Sequence, residues 1–301
     1  MVKKILLLIN PMAGRQRIIN ELVSVVDEFT KAGYETVIYT TQGSDGTSRI
    51  LREAEGRFDT VICSGGDGTF NEILGDTMTW KNRPNLGYIP CGTTNDFAMG
   101  LGIPTDIMDA VKNIIEGKPH TLDTGKFGDH YFSYVASFGA FTETSYSTPQ
   151  SFKNAFGHAA YMFSALKELP NMIPIKVHLE VNDRVYDDKF SFGAVTNARS
   201  VGGVVRLDPE YVKFNDGLFE VMLVRPPQTL LDLSIILNSV STMKYDPRLF
   251  VYTQASELDF ATEKELNWSI DGEKVSGGTS VHISCVHNGL SLITRDTPAM
   301  L

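Results

Sequence analysis

The residues best suited to chemistry are Ser64-Gly65-Gly66-Asp67-Gly68-Thr69-Phe70-Asn71-Glu72, directly after the apolar run Thr60-Val61-Ile62-Cys63. A β-branched run that stops at paired glycines and resumes as helix-compatible sequence reads as strand, tight loop and helix. Gly65, Gly66 and Gly68 leave the backbone free for positive φ and remove side chains that would hold a ligand away. A loop of this kind, opening onto a helix N-terminus, presents amides to an anion, most often a phosphate. Asp67 would repel such a phosphate unless a cation or a donor bridges the two, which implies Mg²⁺. A bare glycine cluster would read only as a turn. The aspartate, Thr69 and Asn71-Glu72 shift the reading toward a nucleotide site. No Lys-Ser or Lys-Thr follows, so this is not a Walker A loop, and the G-x-G-x-x-G spacing fails.

The elements around this loop alternate. An apolar run Lys3 to Ile9 ends at Asn10-Pro11-Met12-Ala13-Gly14, and helix-period apolar residues follow from Ile18 to Phe29, closed by Gly33. A strand from Glu35 to Tyr39 leads into Thr41 and a helix from Asp45 to Glu55. After the glycine loop come a helix from Asn71, a strand Leu86 to Ile89, the polar loop Gly92-Thr93-Thr94-Asn95-Asp96, and a helix Asp106 to Glu116. This order predicts a parallel sheet covered by helices on both faces, with ligands at the carboxyl ends of its strands. The loops at Asn10, Thr41, Gly65 and Thr93 all leave from those ends.

Past Leu122 the pattern changes to short strands with turn signals at Asn182-Asp183, Asp216-Gly217 and Asp271-Gly272. That predicts an antiparallel sandwich, interrupted by helices near 154–169 and 230–240. The expected division is residues 1–122 and 123–301, with the C-terminal tail free to return to the first domain. Asn215-Asp216-Gly217 and Asp271-Gly272 each read as hairpin turns.

A net charge of -9 argues against a nucleic-acid partner. Three scattered cysteines form neither a disulfide framework nor a zinc site, and the six histidines show no ligand spacing. No run approaches the roughly 18 apolar residues of a membrane span. The expectation is a cytoplasmic protein whose contact with the inner membrane face is peripheral and reversible; a homodimer is left open.

Three segments together resemble the diacylglycerol kinase catalytic domain of soluble bacterial lipid kinases: Asn10 to Gly14, Gly65 to Glu72, and Gly92 to Ala98. Thr142 to Tyr146, the stretch Phe156 to Leu169, Phe214 to Glu220 and Asp271-Gly272-Glu273 extend the resemblance over nearly the whole chain. Ala13 departs from the serine frequent in the family. NAD kinases and phosphofructokinases share the Gly-Gly-Asp-Gly loop, and sphingosine and ceramide kinases share the fold.

The resemblance implies an ATP- and Mg²⁺-dependent kinase acting on diacylglycerol at a membrane surface. Asn10, Pro11, Met12, Ala13, Gly14, Thr41, Gly65 through Glu72, Thr93, Asn95 and Asp96 would bind nucleotide. Glu273 would be the general base, with Asp271 and Asp123 as supporting carboxylates, and Asp67 would act in the reacting complex through the cation. A structural Mg²⁺ would sit on Asp216 and the main-chain carbonyls of Lys213 and Leu218, and Lys153 and Lys167 would face the membrane. The alternatives are a kinase for phosphatidylglycerol, a sphingoid base or NAD, and a nucleotide-binding regulator without turnover.

Overall fold

The computed structural model describes residues 3–139, 173–201 and 205–296. Its two units are Met1–Thr124 with His287–Leu301, and Gly125–Val286.

The first unit is built on parallel strands β1 (Lys3–Ile9), β2 (Tyr34–Thr40), β3 (Thr60–Gly65) and β4 (Asn85–Pro90), in the order β2-β1-β3-β4. Every residue of β1 from Ile5 to Ile9 is buried, so both faces of the strand are covered. On one face Ile5, Leu7 and Ile9 meet Ile18, Val25 and Phe29 of α1 (Arg17–Lys31). Ile107, Val111 and Ile114 of α5 (Ile107–Ile115) complete that cluster. Asp106 caps α5 by accepting from the amides of Met108 and Asp109. Gly33 ends α1 at φ 84°, where a side chain would be strained. Helices α2 (Gly43–Ala54) and α3 (Asp67–Thr77) pack on each other, with Ser48 Oγ donating to Asp76 Oδ2 at 2.8 Å. A short helix α4 (Asp96–Leu101) follows β4.

The second unit has a six-stranded antiparallel sheet in the order β14-β13-β10-β7-β16-β17. These strands are β14 (Phe250–Ala255), β13 (Phe219–Val224), β10 (Phe192–Thr196), β7 (Val135–Gly139), β16 (Asn267–Ile270) and β17 (Glu273–Ser276). Strands β8 (Ile175–Val181), β9 (Arg184–Phe190) and β15 (Glu257–Thr262) pair antiparallel, with β9 at the edge. Their inward side chains, including Val177, Leu179 and Phe260, share one core with Phe138, Phe219, Val221, Leu223 and Trp268. Helix α6 (Leu230–Thr242) begins with a capping box between Thr229 and Asp232.

Three local expectations are corrected. Helix α3 starts at Asp67 rather than at Asn71, so Asp67 and Gly68 belong to its first turn. Strand β5 (Lys118–Phe127) carries the chain from the first unit into the second. Strand β18 (Ser280–Thr294) is one long strand in the part of the chain read as short strands. Its Asn288, at φ 52°, kinks instead of turning because its amide is held by Asp123 at 2.7 Å. Finally, Asp216-Gly217 is not a hairpin: β13 follows it, but β13 pairs with β10 and β14.

Candidate active-site elements

At the carboxyl ends of β1, β3 and β4, three loops are tied into one network. The Asn10 amide donates to Ser64 O at 2.8 Å, and the amides of Cys91 and Gly92 both donate to Gly65 O, at 2.7 and 3.1 Å. Asn10 Nδ2 donates to Thr69 Oγ1 at 2.9 Å, while Asn10 Oδ1 accepts from the Met12 amide. Thr41 joins through its amide, which donates to Ile9 O.

The glycines serve close approach more than left-handed backbone. Gly66 has φ −95°. A β-carbon on Gly92 would lie 2.6 Å from Cα of Gly66, and one on Gly65 would lie 2.6 Å from the Thr69 side chain. Gly14 is the left-handed position, at φ 51°, and a β-carbon there would sit 1.9 Å from Cys91 O. Gly14→Ala is therefore expected to push the first and third loops apart. It should lower the melting temperature and weaken ATP binding at least tenfold, as read by calorimetry.

Asp67 holds the third loop. Its Oδ2 accepts from the Asp96 amide at 2.9 Å, and its Oδ1 from the Phe97 amide at 3.3 Å and from Tyr88 Oη at 3.4 Å. It thus caps α4 from another element, at the helix end where a negative charge is favoured. Asn95, at φ 55°, turns the chain into α4, and its Nδ2 donates to Gly92 O. Phe70 stacks on Phe97 at 4.8 Å and packs against Tyr88 at 4.7 Å beneath this network. Protein donors thus reach both carboxylate oxygens of Asp67.

Burial pushes the Asp67 carboxyl up to about 6, against the pull of the Asp96 and Phe97 amides. The sign follows: a carboxyl raised in the folded state contributes its full stability below its unfolded value and loses it as pH rises through about 6. Relative to Asp67→Asn, wild-type stability should fall by up to about 3 kcal/mol between pH 4 and 7. Denaturant titrations of both proteins across that range check it, and a pH-independent difference would contradict it.

Other expected nucleotide residues divide. Met12 and Thr93 are exposed at the loop tips, and Pro11, Ala13, Gly68 and Asn71 are half-buried. Glu72 lies instead near Thr47 of α2, and burial raises its carboxyl.

Asp123, in the same unit, is fully buried and accepts from the Asn288 amide at 2.7 Å and from His287 Nδ1 at 2.9 Å. His287 was not marked by spacing; the signal for it lies only in the Asn288-Gly289 break, which reads as a turn. Tyr88 was likewise missed, since a tyrosine in an apolar strand reads as core.

In the second unit, Asp271-Gly272 forms the two-residue turn of the β16–β17 hairpin, with φ 47° and 91°. The two acids lie in different environments. Asp271 is 2% exposed and accepts from the amides of Ser133, Tyr134 and Val135 and from Ser133 Oγ, at 2.5 to 3.1 Å. Consecutive amides converging on one anion make a nest. Burial nevertheless lifts the Asp271 carboxyl to about 6. Glu273, opposite Ile270 in the hairpin, is exposed.

Asp216 is exposed, and its Oδ1 accepts from the Leu218 amide at 3.1 Å. Among the described residues no three His, Cys, Asp or Glu side chains cluster to hold a metal. The stretch 142–146 and the expected helix at 154–169, with Lys153 and Lys167, lie outside the described residues.

Residues 4–127 match the family model of the diacylglycerol kinase catalytic domain, and 138–294 match the YegS C-terminal NAD kinase beta sandwich-like domain. Diacylglycerol kinase of Bacillus subtilis is 32% identical over 274 residues, spanning 90% of each chain. The chain belongs to the diacylglycerol kinase family. Diacylglycerol kinase of Staphylococcus aureus strain MRSA252 is 33% identical, over 91% of this chain and 87% of its own. A crystal structure titled as a diacylglycerol kinase from Bacillus anthracis has the same fold, with a TM-score of 0.80 at 24% identity and 99% coverage of both chains. The α/β unit and the β-sandwich of this family member are those its fold class requires. Among its described residues no helix is long and apolar enough to cross a membrane.

Proposed function

We propose that this family member is an ATP- and Mg²⁺-dependent lipid kinase that transfers the γ-phosphoryl group to the free hydroxyl of diacylglycerol, yielding phosphatidic acid and ADP. The observation that carries the reading is the network joining the ends of β1, β3 and β4. It holds the N-terminus of α3 and two exposed loop tips, at Met12 and at Thr93-Thr94, on one hydrogen-bonded support. A helix N-terminus leaves amides without intrahelical partners, and a phosphate satisfies them. In this reading nucleotide binding belongs to the N-terminal domain, residues 1–122, and the lipid acceptor to residues 123–301.

Phosphoryl transfer needs positioning, charge stabilisation and a group that takes the hydroxyl proton. Glu273 is assigned that last role, because it is solvent-exposed at a rigid hairpin and so can both accept and release a proton. Asp271 is a positioning residue: it pins the turn that carries Glu273 to the 133–135 backbone. Asp67 likewise positions, fixing the Asn95-Asp96 loop against the glycine segment.

When bound, Mg²⁺ supplies charge neutralisation for the transferring phosphate oxygens. The donors at Asp216 fit only a largely hydrated hard cation, since one carboxylate is present and one of its oxygens already accepts an amide. Lys213 and Leu218 would complete that site through main-chain oxygens. Membrane contact is assigned as peripheral and reversible.

The test is incubation of the purified protein with labelled ATP, Mg²⁺ and a lipid panel in mixed micelles. The label should appear in phosphatidic acid when diacylglycerol is present. Label on phosphatidylglycerol, a sphingoid base or NAD in its place would move the acceptor, and no labelled product would remove the kinase reading.

A further inference from the structure

The second unit contains a cavity of about 570 Å³ away from the hairpin that carries Glu273. It is lined from two edge strands, by Arg184 and Tyr186 of β9 and by Phe250 and Tyr252 of β14, and closed by Asp208 and Tyr245. The Tyr245 ring packs at 5.1 Å from Phe250 and 5.4 Å from Tyr252, making one aromatic wall. No role in phosphoryl transfer accounts for it.

Its charges balance in a particular way. Arg225 also lines it, but its Nε is paired with Asp188 at 2.8 Å and its Nη1 donates to Pro247 O. The Arg184 side chain makes no ion pair or hydrogen bond among the described residues and is exposed at the rim. Asp208 is half-buried, and of its carboxylate only Oδ1 has a partner among the described residues, the Glu210 amide. One cation and one anion therefore remain, separated by tyrosine rings. Of the lining side chains, Tyr252 carries a hydroxyl with no hydrogen-bond partner among the described residues. Buried polar atoms without partners mark a place where a ligand or water completes the structure.

We infer that this cavity binds a small zwitterion, an alkylated ammonium joined by a short linker to a phosphate. The ammonium lies among the tyrosine rings near Asp208, where ring quadrupoles and the carboxylate attract it together. The phosphate is held by Arg184 and by the Tyr252 hydroxyl. A simple anion leaves Asp208 unpaired, and a simple cation leaves Arg184 unpaired, so neither half alone satisfies the site. The chemistry is that of a free phosphocholine-type metabolite or of a zwitterionic phospholipid headgroup.

The experiment is calorimetric titration of the full chain with phosphocholine, with choline and inorganic phosphate as half-ligands. Saturable binding at one site is expected, with each half-ligand at least about tenfold weaker. Arg184→Gln and Asp208→Asn should each weaken phosphocholine by about tenfold or more. Tyr252→Phe, which removes only a hydroxyl, is the variant least disturbing to folding and should weaken it severalfold. Co-flotation with phosphatidylcholine rather than phosphatidylglycerol vesicles assigns the lipid headgroup as the source; phosphocholine binding without vesicle binding assigns the free metabolite. Absence of saturable phosphocholine binding to folded wild-type protein would overturn the inference. So would affinity unchanged in all the variants that fold.

Discussion

Glu273→Gln is expected to fold normally, bind ATP as the wild type does, and lose about 10²–10⁴-fold in kcat on diacylglycerol, the range for a lost acid–base group. The substitution is nearly isosteric and the side chain is exposed, so no packing or buried hydrogen bond is forfeited. What disappears is the capacity to accept a proton from the attacking hydroxyl. The loss should fall on kcat with KM for ATP little changed, because the residue is assigned to the reacting complex and not to ground-state nucleotide binding. Steady-state kinetics in mixed micelles reads the split. Near-normal kcat would send the search for the base elsewhere, with Asp67 the next candidate.

The opposite behaviour is expected two residues away. Asp271→Ala removes the acceptor for three backbone amides and one hydroxyl, all buried. Each buried donor left unpaired costs about 1–3 kcal/mol. Even with partial relaxation the substitution should destabilise the second unit by about 3 kcal/mol or more. For a unit of this size that is a fall in melting temperature of roughly 6–12 °C. Asp271→Asn should fall between, since it keeps one acceptor oxygen and turns an NH₂ group toward the amides. Activity should decline in both, but in parallel with the loss of folded protein. Calorimetry or thermal circular dichroism, set beside activity at a temperature where the variant is still folded, distinguishes this from a catalytic defect. A fully stable Asp271→Ala would mean the nest tolerates an empty centre.

Much of the fold was legible because its signals are local. The solid apolar run Ile5 to Ile9, the helix-period residues from Ile18 to Phe29 and the glycine at 33 announce strand, helix and cap within one window. The Asp271-Gly272 turn was visible for the same reason, as a dipeptide that accepts positive φ at both positions. Asp216-Gly217 carries the same dipeptide yet opens no hairpin, because whether a strand precedes a turn is decided by tertiary pairing.

The site was legible as residue types and not as roles. Asp67 looks like a carboxylate that must face phosphate; its partners, the amides of Asp96 and Phe97, lie 29 and 30 residues on, and no local pattern marks them. Gly66 and Gly92 look conformationally permissive, but what they supply is backbone-to-backbone approach between two loops. Asp123 was named for its chemistry, and the groups it holds, His287 and the Asn288 amide, are 164 and 165 residues away. Long-range acceptance by a buried carboxylate is a property of the folded chain, and Asp67, Asp123 and Asp271 all exhibit it.

The central claim is that the joined ends of β1, β3 and β4 hold the nucleotide. Hydrogen–deuterium exchange with and without a non-hydrolysable ATP analogue and Mg²⁺ tests it most directly, because the proposed contacts are largely backbone amides. Slowed exchange is expected in peptides covering 10–14, 64–70 and 91–97, and the same analogue should leave exchange around 208–211 and 245–252 unchanged. Binding of the analogue with protection confined to other segments, or with none at 64–70, would contradict the account.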